Sequence, residues 1–137
     1  MSDNALGLPT SFEGNQAWAR AAPVLAPGCT RLHFTRNNQP NAAAVHDLGL
    51  ASATLTLEAT ARGLFVHQMI GILPDRARDL FRIPGEVQPV TALAIGYAAD
   101  PLILPEVYRQ RDLAPRQRRP LAEFVFGGAW GTASGLV

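Results

Sequence analysis

The chain is 137 residues long, 47% hydrophobic and 17% charged, with a formal net charge of +1 and a single cysteine, Cys29. That length accommodates one domain with one core and leaves no surplus for a second. Balanced charge excludes a global field for nucleic acid or an anionic membrane, and one cysteine excludes an intramolecular disulfide or a multi-cysteine metal site.

Residues 1–14 are rich in Gly, Ser, Asn and Pro and read as irregular. Asn15 is placed to cap a short helix over residues 16–22, which Pro23 ends and Trp18 ties to the core. Val24 and Leu25 begin a strand, but Pro27 and Gly28 suit no central strand, so a short or broken one is expected there. Cys29 then reads as a passive small residue beside a turn.

After a loop over residues 36–41, Asn41 is placed to cap a helix spanning about 42–62. Ala44, Leu48, Ala51, Leu55 and Ala59 line one face, while Leu50, Ala53, Leu57 and Ala61 fill another, which predicts a buried helix closed by Gly63. Residues 64–68 lean towards a strand that leads into a turn at residues 69–72. Pro74 starts an amphipathic helix whose core face is Ala77, Leu80 and Phe81, broken at Ile83-Pro84-Gly85. The nearly continuous apolar run 90–95 predicts a strand covered on both faces. Residues 98–120 form a proline-punctuated connection carrying Arg109, Arg111, Arg116, Arg118 and Arg119, and an apolar, aromatic tail runs from Leu121 to Trp130. Two strands and a stub make a thin sheet, so terminal segments or a partner chain are expected to complete it. The apolar composition also favours a partner over part of the surface.

No apolar run reaches the length of a membrane span, and residues 1–11 have no leader pattern, so a cytoplasmic location is expected. Dinucleotide, P-loop and zinc-protease signatures are absent, and His33, His46 and His67 are too scattered for a metal site. His46, beside Asp47, reads as a packing or locally hydrogen-bonded residue. Arg116 and Arg118 flank one residue of an extended stretch and so share a side, where two guanidinium groups suit a phosphate monoester; a solvated basic loop explains the same spacing. The strand-to-loop-to-helix passage at residues 68–71 leaves outward amides able to donate to a ligand, or is a plain connection.

Taken in order, these pieces resemble the bacterial FMN-dependent nitroreductase family. The resemblance rests on Gly14-Asn15-Gln16-Ala17-Trp18-Ala19, Ala22-Pro23-Val24-Leu25, Phe34-Thr35-Arg36-Asn37, Pro40-Asn41 and His46-Asp47-Leu48-Gly49-Leu50. It continues through Ala61-Arg62-Gly63-Leu64, His67-Gln68-Met69 with Gly71, Ile83-Pro84, Ala94-Ile95-Gly96-Tyr97 and residues 116–121. It implies an α+β fold, a nitroreductase-like mixed sheet flanked by helices, incomplete in this chain: one domain over residues 1–137, N-terminally truncated. It further implies a homodimer that binds FMN at its interface and passes electrons from NADH or NADPH to a small-molecule acceptor, a nitro compound, quinone or similar. The FMN-binding residues it implies are Met69, Ile70 and Gly71, whose backbone approaches the ring near N5, and Arg116 and Arg118 at the phosphate. No catalytic acid–base side chain is implied. The long helix becomes the subunit contact, and Phe124, Val125, Phe126 and Trp130 reach over the partner. Three features depart from the family: an Arg-Arg-Ser-x-Arg type opening helix is missing, Pro27-Gly28-Cys29 interrupts a strand, and Leu73 stands where an Asp cap is expected. The missing segment leaves open a non-catalytic chain that folds by dimerisation without flavin.

Overall fold

The computed structural model describes Asn15 and residues 18–135. The chain divides into two compact units, Met1–Ala98 and Ala99–Val137. The first holds a three-stranded sheet, β1 (Val24–Thr30), β2 (Phe65–Met69) and β3 (Gln88–Gly96), and two helices, α1 (Ala44–Ala61) and α2 (Pro74–Phe81). β3 lies between β1 and β2, and both pairings are antiparallel. The α+β class stands, and the mixed sheet implied by the resemblance is represented here by three antiparallel strands.

β3 is the strand expected from the apolar run, extended at both ends. Consecutive burial of Ala92, Leu93 and Ala94 shows that both of its faces are covered. β1, by contrast, is a full seven-residue strand rather than a short or broken one. Its place at the edge of this sheet tolerates Pro27, which has no N–H to donate. The register shifts where Gly28 faces Thr91 but Cys29 faces Pro89, leaving Val90 as the extra residue of a bulge.

Alternation along the paired strands puts Gln68 and Leu93 on one face and Met69, Ala92 and Ala94 on the other. Gln68 reaches α1, which therefore covers the first face. On the second face Ala19, Met69, Ile72, Ala92 and Ala94 form the core, with Trp18, Ala22 and Leu25 packed against it. Trp18 thus does what its sequence position suggested, although residues 16 and 17 of its expected helix lie outside the described residues.

The helix expected over 42–62 forms, but its burial does not follow. Only Ala44, Ser52 and Ala59 are buried, while Leu50 is 55% and Leu57 73% exposed. One sheet face can cover one stripe of a helix, so the remaining apolar surface stays open among the described residues. Asn41 is not its capping residue: its Oδ1 accepts from the Ala43 amide at 3.2 Å, a local turn one step ahead, and Ala43 sits at the cap without a side-chain bond. Gly63 closes α1 with φ 75°, as expected. α2 starts at Pro74 behind an uncapped Leu73. Of its expected core face, Ala77 is buried and Phe81 half-buried, but Leu80 is exposed because a two-turn helix seats only the i, i+4 pair. The helix ends on Arg82 in the left-handed conformation, φ 53°, and the Ile83 amide returns to the Arg78 carbonyl at 2.9 Å.

The second unit contains a 3₁₀ turn at Pro101–Ile103, helix α3 (Glu106–Leu113) and another 3₁₀ turn at Leu121–Glu123. The proline-punctuated connection therefore holds a helix that composition concealed. None of its described residues is buried. Its tail folds back on itself, with Gly127 donating to the Thr132 carbonyl at 3.0 Å and the Phe126 and Trp130 rings 5.1 Å apart, and Trp130 is 93% exposed. Among the described residues no helix is long and apolar enough to cross a membrane.

Candidate cofactor site

β2 ends at Met69, whose side chain is buried in the core and whose backbone still pairs with Ala92. The next residue, Ile70, is 84% exposed. The Ile72 amide donates to the Ile70 carbonyl at 2.8 Å, closing a tight turn about Gly71 before Ile72 re-enters the core. The result is an apolar tip projecting from a buried base. Among the described residues nothing accepts from the Gly71 amide.

Three side chains outside the turn hold its approaches. Asn15 Nδ2 donates to the Gly71 carbonyl at 3.4 Å, while residues 16 and 17, which open the helix it was expected to cap, lie outside the described residues. Trp18 meets His67 edge-on with ring centroids 4.6 Å apart. Gln68 Nε2 donates to Thr56 Oγ1 at 2.8 Å and to the Ser52 carbonyl at 3.3 Å, while Thr56 Oγ1 donates to that same carbonyl at 2.8 Å. None of these three roles was foreseen from sequence.

In the second unit residues 115–120 are irregular and exposed. Arg109 is paired with Glu106, and Arg119 with Glu123 at 3.0 Å. Arg118 donates only to the neighbouring Gln117 carbonyl, at 3.2 Å, and Arg116 has no hydrogen bond or carboxylate among the described residues. The two guanidinium groups named from spacing are thus the ones left unneutralised, together with Arg111. Met69, Ile70 and Gly71 are gathered in one unit and the arginine pair in the other, and each group stands within its own unit.

The remaining chemistry-bearing residues are local. His46 Nδ1 lies 3.6 Å from Asp47 Oδ1, both exposed, and His33 forms an isolated bridge with Pro40. Burial pushes the Cys29 thiol up from its ordinary pKa, partly offset by the nearby Arg78 cation, so the protonated and less nucleophilic form is favoured.

No protein-family model matches the chain. It is 39% identical over 85 residues to an uncharacterised 15.4 kDa protein of Mycolicibacterium smegmatis, a match covering 62% of this chain and 57% of that one. Among solved structures, an oxidoreductase containing FMN superposes with a TM-score of 0.83 and 34% identity, covering 91% of this chain and 64% of its own. A nitroreductase family protein from Clostridium difficile superposes with a TM-score of 0.59 over 80% of this chain and 61% of its own, at 22% identity. The chain therefore spans roughly three-fifths of the length of the relatives it matches. The chain thus shares its α+β fold with an oxidoreductase containing FMN and with a nitroreductase family protein.

Proposed function

We propose that this protein is an FMN-dependent NAD(P)H oxidoreductase that works as a homodimer and reduces nitro compounds, quinones or similar acceptors. The observation that carries the reading is the turn at residues 69–71: a buried Met69, an exposed Ile70 and a Gly71 amide that meets no acceptor among the described residues. This donor set fits a flavin in kind. An apolar tip suits the ring, a backbone N–H suits a ring nitrogen, and two uncommitted guanidinium groups suit a phosphate monoester. Similarity to an oxidoreductase containing FMN supports the same assignment.

Bound FMN supplies the hydride and electron chemistry, and the protein supplies placement. Met69 fixes the base of the turn, Ile70 offers apolar surface beside the ring, and the Gly71 amide donates to it. Arg116 and Arg118 hold the phosphate by charge-assisted hydrogen bonds. The open apolar face of α1, with Leu50 and Leu57, is the surface a second copy covers, so stability is expected to rise with protein concentration.

Titration with FMN tests this reading. Saturable quenching of flavin fluorescence should accompany a rise in melting temperature, since ligand at about a hundred times its Kd adds about 2.7 kcal/mol to stability. Unchanged fluorescence and an unchanged melting temperature would remove the cofactor assignment.

A further inference from the structure

The sheet ladder stops one residue short of the proposed flavin-contacting turn. Met69 is the last residue of β2 paired with β3, so the β2–β3 ladder does not reach Ile70 or Gly71. The turn depends on its other contacts. On the face towards α1, Gln68 stands beside Val66 and pairs with the buried Leu93, while the residue itself remains exposed. Its carboxamide crosses to α1 and makes two bonds over sequence separations of 12 and 16 residues.

The receiving end is also built for this contact. Ser52 is a buried polar residue at the helix–sheet contact, and its carbonyl accepts from both Gln68 Nε2 and Thr56 Oγ1. Thr56 Oγ1 accepts from Gln68 while donating to Ser52, which closes a three-membered network. The Gln68 amide nitrogen thereby meets two acceptors on one helix turn, directly ahead of Met69. A polar network so satisfied fixes geometry as much as it stabilises.

We infer that Gln68 is a positioning residue: through Thr56 and Ser52 it clamps the end of β2 to α1 and so sets the turn at residues 69–71 for flavin binding. The inference rests on the proposed FMN site. Asn15 and Trp18 brace the same segment independently, by contacts to Gly71 and His67. Gln68 makes the turn depend on α1.

The test compares the full chain with Thr56→Val, which removes the hydroxyl at nearly constant volume, with Gln68→Ala, and with the double variant. Thr56→Ser, which keeps the hydroxyl, is the conservative rescue. Two readouts are taken at a temperature where circular dichroism shows every variant folded: amide hydrogen exchange of residues 70–72, and FMN affinity by fluorescence. Loss of one such bond should speed exchange of the turn and weaken FMN by about fivefold in each single variant. The double variant should be no worse than either single, because all three remove one network, and Thr56→Ser should match the parent. Turn exchange equal to the parent in both single variants overturns the inference, as does faster exchange with FMN affinity unchanged. If the parent itself binds no FMN, the proposed function fails, and exchange alone decides whether Gln68 holds the turn.

Discussion

Gly28→Ala should be the most damaging small substitution in the sheet. A Cβ built on Gly28 would lie 2.2 Å from Thr91 Oγ1, on the opposed residue of β3, a separation no pair of heavy atoms tolerates. Thr91 cannot simply turn aside, because a β-branched side chain in a strand has few rotamers and its hydroxyl is already enclosed without a hydrogen-bond partner among the described residues. The strands must part or the Thr91 side chain must leave its well, and overpacking of that kind costs about 1–3 kcal/mol. Thr91→Ala removes the obstructing atoms together with the unsatisfied hydroxyl, so Gly28→Ala with Thr91→Ala should recover most of the loss. Denaturation of the four proteins at one fixed protein concentration measures the coupling. Additive losses would show that the contact is not what makes Gly28 necessary.

The second large effect concerns the cofactor's phosphate. Arg116→Ala and Arg118→Ala should each weaken FMN about tenfold or more, since a hydrogen bond to a charged group contributes about 1.5–3 kcal/mol. Riboflavin, which lacks the phosphate, should bind the parent and the double variant alike. Added salt should weaken FMN binding to the parent and barely affect the double variant, because screening acts on the ion pairs that the substitutions remove. Measuring both ligands at two ionic strengths separates these arginines from a basic loop that merely meets solvent. Equal losses for riboflavin and FMN would show that they serve the unit's fold instead.

How much of this could be read beforehand depended on whether the determining contacts were local. β3 declared itself through an unbroken apolar run, and α1 through its period and its closing Gly63. β1 misled because a proline excludes a central strand, and nothing local reveals that Val24–Thr30 lies at an edge in this chain. α1 misled differently: an all-round apolar pattern points to burial, but among the described residues only Ala44, Ser52 and Ala59 of this helix are buried. α3 was hidden by prolines and by a polar composition that gives no apolar stripe. In the candidate site, residues 69–71 and the arginine pair were picked out by position in an ordered series of matches, since their spacing alone also fits a connection and a solvated loop. The supports of the turn were out of reach. Asn15 meets Gly71 across 56 residues and Gln68 meets α1 across 12 and 16, separations that leave no periodic trace.

A flavin bound at the turn of residues 69–71 would be felt first by the backbone amides there. Backbone amide resonances followed by nitrogen-resolved nuclear magnetic resonance during FMN titration test such binding most directly. The Ile70 and Gly71 amides should shift saturably with the largest changes in the first unit, Gly71 moving as its N–H acquires an acceptor. Saturation that leaves Ile70 and Gly71 in place while signals elsewhere move would contradict flavin binding at this turn.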